Sequence, residues 1–114
     1  MIFTSTFAKH GNKVNAVSIA VWHPAWFNPA QTYLALVPPI DLIAKYKKGW
    51  VTKQYYMLVY NDQLERLDID RTASDLRGKI LLCYERVPLF CHRHLVSDWL
   101  NRNGHECEEI SERS

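Results

Sequence analysis

The stretch Lys79–Gly104, KILLCYERVPLFCHRHLVSDWLNRNG, decides how the rest of the chain is read. Its first six residues, Lys79 to Tyr84, form a short apolar run of the length of a buried strand. A polar turn, Glu85-Arg86-Val87-Pro88, follows, and a helical pattern starts near Cys91-His92-Arg93. Leu95, Val96, Trp99 and Leu100 fall at i, i+1, i+4 and i+5, which makes one apolar stripe. Gly104 suits a helix stop, because glycine adopts the left-handed conformation at little cost. The Cys-His-Arg trio therefore stands where a strand hands over to a helix. In parallel α/β sheets this is a common ligand position, since unbonded N–H groups and the positive end of the helix dipole face outward there.

Working outward, the upstream half supplies two more strand-like segments. Met1–Ala8 is rich in strand formers, and a polar Lys9–Lys13 turn follows it. Val14–Trp22 is almost continuously apolar, which predicts a central, parallel strand buried on both faces. It ends at His23-Pro24, where proline cannot donate to a ladder. Pro24 to Pro39 holds four prolines among Trp26, Phe27 and Tyr33. This predicts an ordered loop, with one short helical turn, that packs its rings over a sheet edge. A helix is expected from Pro38-Pro39 to Gly49, a longer one over Trp50–Leu67, and a brief one ending at Gly78. In the long helix Tyr56, Val59, Tyr60, Leu64 and Leu67 recur on one face. A last short strand is expected over Glu106–Ile110, ahead of a polar tail. Strands interleaved with helices predict one α/β domain over residues 1–114, a small three-layer Rossmann-like arrangement with a mostly parallel sheet.

The totals narrow the function classes. A chain of 114 residues is long enough for one core. Its composition, 47% hydrophobic and 23% charged, is that of an ordinary globular domain. A net charge of +2 gives little overall attraction to nucleic acid or membranes. No apolar run approaches the roughly 20 residues that span a bilayer, and MIFTSTFAKHGNK lacks the features of a signal peptide. Three cysteines, in no scaffold-like spacing, point to a reducing cytoplasm.

Spacing then sorts the chemistry. A thiol at a helix start beside His and Arg becomes a thiolate more readily than a free cysteine, so Cys91 is a candidate nucleophile with His92 beside it. Helix phase turns Cys91 and His92 inward and Arg93 toward the mouth of the turn, where it would cradle an anion. The alternative is that Cys91 is a small core residue, His92 a hydrogen-bonding support and Arg93 a surface charge. Glu85, just past a strand end, suits acid–base work or hydroxyl binding, or else a salt bridge to Arg86 or Arg93. A cysteine-phosphatase loop would need arginine where Leu89 or Ser97 stands, so that class is excluded. Zinc is disfavoured, because Cys83, Cys91, His92, His94, His105 and Cys107 form no paired knuckles. No metal or other cofactor is expected. No G-x-G-x-x-G, Walker loop or G-x-S-x-G occurs. The basic run Lys45–Lys53 reads as a solvated helix face, which makes a nucleic-acid partner unlikely to be its purpose.

The run LLCYERVPLFCHRHLVSDWL resembles the signature of the family called domain of unknown function 488, in which a Cys-x-Glu strand end leads to a Cys-His-Arg helix. Ile2-Phe3-Thr4-Ser5, Val17-Ser18-Ile19-Ala20 and the helix bearing Tyr56 and Tyr60 look like its other elements, so the likeness spans nearly the whole chain. The resemblance implies a Rossmann-like α/β domain and marks Cys83, Glu85, Cys91, His92, Arg93, Ser5 and Tyr60. Two departures, Val21-Trp22-His23 where a basic residue is expected and a turn without glycine, would narrow or dry the pocket. The expectation is thus a site for an anionic, nucleotide-like or phosphorylated small molecule, with Cys91, Glu85 and His92 in catalytic positions and Arg93, Cys83, Ser5, Tyr60 and Trp26 as ligand contacts. The competing expectations are a non-catalytic or inhibitory protein-interaction module that uses the Trp22–Tyr33 aromatic loop, or a nucleic-acid-associated protein that uses Lys45–Lys53.

Overall fold

The computed structural model describes residues 1–84 and 90–110. Four parallel strands, β1 (Ile2–Thr6), β2 (Ala16–Ser18), β3 (Ile80–Cys83) and β4 (Cys107–Glu109), form one sheet in the order β2-β3-β1-β4. Among the described residues the helices are α1 (Phe7–His10), α2 (Ile40–Lys47), α3 (Lys53–Glu65), α4 (Ile69–Leu76) and α5 (Arg93–Arg102), with a single 3-10 turn at Leu34–Leu36. This is the small α/β domain with a parallel sheet that the sequence predicts. No described helix is long and apolar enough to cross a membrane.

Strand register sorts the side chains. Thr4 lies beside Leu81 and Glu109, and Thr6 beside Cys83, so Ile2, Thr4, Leu81, Cys83, Cys107 and Glu109 share one face. Against that face pack Leu42 of α2, Tyr56, Tyr60 and Leu64 of α3, Leu76 of α4, and Val96, Trp99 and Leu100 of α5, which together make the larger core. Phe3, Ser5, Ile80 and Leu82 look the other way. A smaller cluster centred on Phe7 and Phe27 covers that side, so its layer is a short helix and a loop. Local signals explain the helix boundaries. The Thr52 hydroxyl accepts from Tyr55 N–H to start α3, and the Asp68 carboxylate accepts from Arg71 N–H to start α4. Gly78, at φ 76°, takes the left-handed turn that returns the chain to β3.

One expectation about elements needs correction. Val14–Trp22 is not a central strand: β2 covers only Ala16–Ser18 and lies at the sheet edge. Its apolarity is explained by the loop that closes that edge. Ser18 N–H donates to Gln31 O (2.7 Å), Tyr33 N–H donates to Ser18 O (2.9 Å), and the Gln31 side chain reaches Ala16 O (2.9 Å). An edge covered in this way is not available for pairing with another chain. The last major helix begins at Arg93 with His92 at its N-cap, where the helical pattern starts in the sequence.

Candidate functional site

The carboxyl ends of β2 and β3 and the start of α5 border a cavity of about 360 Å³. This is within the size range of small-molecule sites, about 300–1,000 Å³. Five aromatic rings line it: Trp22 from the segment after β2, Tyr46 from α2, Tyr56 from α3, Tyr84 after β3, and Phe90 ahead of α5. Tyr46, Tyr56 and Phe90 pack edge to face, with centroids 5.2–5.9 Å apart. Buried Cys83, Cys91 and His92 also line it, and the exposed Lys47 supplies a cation, its Nζ 5.4 Å from the centre of the Trp22 ring.

Cys83 and Cys91 are joined by a disulfide, with Cα atoms 7.1 Å apart. In the bonded state neither sulfur carries a thiolate, so a nucleophilic Cys91 requires the reduced pair. His92 is 5% exposed. Its Nε2 donates to Ile19 O (2.5 Å), which leaves Nδ1 as the unprotonated nitrogen of the neutral ring, 3.9 Å from Cys91 Sγ. Burial pushes the imidazole down to about 4, against a smaller opposing effect of the Ile19 bond and with help from Arg93, so the ring is neutral at pH 7. The edge of the ring meets Tyr60, centroids 5.4 Å apart.

Arg93 does not face the mouth of the turn. It is fully buried, and its fork grips Glu109 through Nε to Oε1 and Nη2 to Oε2, both 2.9 Å. Nη1 lies 3.2 Å from Cys83 Sγ. Thr4 Oγ1 donates to the same Glu109 carboxylate at 2.7 Å. Burial alone would raise the Glu109 carboxyl; the bonds from Arg93 and Thr4 outweigh it and hold the group below its usual range. The reason for the inward turn is register. Glu109, Thr4 and Cys83 all project from the helical face of the sheet, and the first residue of α5 is the one that reaches them. The predicted anion contact is therefore a structural ion pair.

The remaining expected residues scatter. Ser5 points to the opposite face and bonds His10 Nδ1 at 2.6 Å, under α1. Tyr60 is fully buried, and its hydroxyl donates to Leu36 O at 2.5 Å, which anchors the 3-10 turn. Trp26 is 60% exposed and does not line the cavity; its ring packs against Gly11, where any Cβ would collide with it. Glu85 lies outside the described residues. The structure thus brings Cys83, Cys91 and His92 together, and leaves Arg93, Ser5, Tyr60 and Trp26 in supporting places.

Sequence reasoning missed Lys47, Tyr46, Tyr56 and Phe90 as wall residues. Lys47 was hidden in a charge run and the tyrosines in a helical stripe, both of which read as ordinary surface and core. What the geometry defines is a small parallel α/β domain with a pocket at the carboxyl end of its sheet, lined by aromatic rings and by Lys47 among the described residues. No family model matches the chain, and no curated protein or solved structure is detectably similar to it.

Proposed function

We propose that the chain binds, and in its reduced form acts on, an anionic small molecule of nucleotide-like or phosphorylated type. The observation that carries this reading is the combination of an aromatic-walled cavity with a cation at its border, Lys47 beside Trp22. Flat rings on Trp22, Tyr46 and Phe90 suit a planar base, and Lys47 suits a phosphate. Arg93, bound to Glu109, takes the structural part, and Lys47 replaces it as the anion contact. When the Cys83–Cys91 bond is reduced, the unprotonated His92 Nδ1 lies beside Cys91 Sγ as a hydrogen-bond acceptor that would orient the thiol for a nucleophilic role. A reducing cytoplasm would hold the pair in that form.

The test is a calorimetric titration of the protein with a panel of nucleoside monophosphates and their parent nucleosides. Saturable binding of a monophosphate, at least about tenfold tighter than its nucleoside, supports the reading. No heat with any member, or equal affinity for both, overturns it.

A second reading has its own observation. Trp26 is 60% exposed outside the cavity and Trp22 is 47% exposed, which suits a protein partner docking on these rings. Phe27, in contrast, is buried and belongs to the core. Docking of this kind predicts that Trp26→Ala abolishes partner capture while leaving nucleotide titrations unchanged.

A further inference from the structure

Among the described residues, Cys83, Cys91 and His92 form one cluster whose ligand atoms all lie within 4.8 Å of one another. These residues come from two elements, the end of β3 and the approach to α5, so the cluster is a product of the fold rather than of local spacing. We propose that the reduced form of this corner is a divalent-metal site, zinc by ligand type, held by Cys83 Sγ, Cys91 Sγ and His92 Nδ1, with its fourth position open to the cavity.

Four features of the structure support this. Two thiolates and an imidazole are a favoured donor set for zinc, and three protein ligands with one open position is the arrangement of reactive rather than structural sites. The His92 ring is already oriented for ligation: Nε2–H donates to Ile19 O, which fixes the tautomer and turns the Nδ1 lone pair toward the sulfurs. Metal-bound histidines commonly carry such a backbone bond on the far nitrogen. Arg93 Nη1 donates to Cys83 Sγ, which stabilises negative charge on that sulfur. All three residues border the cavity, so an ion has a path of entry and a ligand has access to the vacant position.

Thiol–disulfide exchange with another protein fits less well, since Cys83 and Cys91 are only 1% and 6% exposed. A small ion entering from the cavity meets no such barrier. The proposal goes beyond the ligand reading and stands without it; a bound ion would occupy Cys91 Sγ and His92 Nδ1, so the nucleophilic role of Cys91 belongs to the metal-free reduced form.

The chemistry balances in two steps. A low-molecular-weight thiol reduces the pair: the Cys83–Cys91 bond breaks, two thiols of the reductant are oxidised to a disulfide, and two protein thiols form. The two thiols then lose two protons to solvent as M²⁺ binds, leaving a neutral metal–dithiolate unit beside neutral His92. Oxidation and metal binding are thus mutually exclusive states of one site.

The test uses the full chain, reduced with a phosphine, freed of reductant without air, and titrated with Co²⁺ alone. The expected result is one Co²⁺ per chain, with a near-ultraviolet thiolate-to-cobalt band and intense visible bands of tetrahedral geometry, all displaced by Zn²⁺. Cys91→Ser should weaken binding by more than the roughly 10–100-fold that loss of a mere supporting partner costs. Cys107→Ser should leave both the spectrum and the stoichiometry intact. The oxidised wild-type protein, which needs no substitution and so no question of folding, should bind no cobalt at this site. Absence of the thiolate band in the reduced protein, or the same band in Cys91→Ser or in the oxidised protein, overturns the assignment. Nucleotide binding is read separately by calorimetry on the oxidised protein, so failure of either proposal is visible without the other.

Discussion

Arg93 and Lys47 are two cations near one corner of the sheet, and their surroundings give them opposite tasks. Arg93 has no exposed surface and spends its fork on Glu109 and Cys83, so it ties α5 to β4 and β3. Lys47 stands exposed at the end of α2, over the edge of a cavity, against one aromatic ring. The arginine looks like the functional residue because of its neighbours in sequence, Cys91 and His92. The lysine looks like solvated surface because of its own, Lys45 and Lys48. A charge without solvent needs a full set of partners and becomes structure. A charge at a rim remains able to meet a ligand.

That contrast breaks most visibly at the buried end. Glu109→Ala removes both carboxylate bonds of a fully buried guanidinium, so it should cost about 3 kcal/mol or more of stability in urea denaturation. Arg93→Met should cost less, because the Glu109 side chain is 26% exposed and can be rehydrated. If both substitutions changed stability by under about 0.5 kcal/mol, the pair would not be holding the fold.

The next effect is at Tyr60. Its hydroxyl bonds Leu36 O in a fully buried position, so Tyr60→Phe leaves that carbonyl without its donor and should cost about 1–2 kcal/mol. Nucleotide affinity should be unchanged, which separates an anchoring residue from a ligand contact.

A smaller effect follows acidification. The folded Glu109 carboxyl titrates below its unfolded value of about 4.3. Its contribution is therefore complete above that value and is lost as pH falls through the lower folded one. The melting temperature of the wild type should drop over this acidic interval more steeply than that of Glu109→Gln. The smallest stability effect belongs to Lys47→Ala, under about 0.5 kcal/mol, while monophosphate affinity should weaken by about tenfold.

Much of the architecture was legible in the sequence. The apolar run Ile80–Cys83, the helical stripe of Leu95, Val96, Trp99 and Leu100, and the glycine stops at Gly78 and Gly104 all carried their signals locally. What failed needed strand register or chain pairing. Val17 and Ile19 looked central because the covering loop that closes the β2 edge lies more than ten residues downstream and has no pattern of its own. The inward turn of Arg93 depends on Thr4, Cys83 and Glu109 sharing one face, a fact of registry between three strands. Within the site, the meeting of Cys91 with His92 follows from adjacency, while their meeting with Cys83 depends on where β3 ends relative to the start of α5.

The most direct test of the account is a nitrogen–proton correlation spectrum that resolves the four tryptophan indoles and the Arg93 Nε–H, recorded with and without a saturating nucleoside monophosphate. The account predicts a large shift of the Trp22 indole and of the backbone amides of Cys91 and His92, with the Trp26, Trp50 and Trp99 indoles and the Arg93 Nε–H unmoved. A shift centred on the Arg93 Nε–H with Trp22 unchanged would contradict it, because the anion would then be meeting the buried cation rather than the one at the rim.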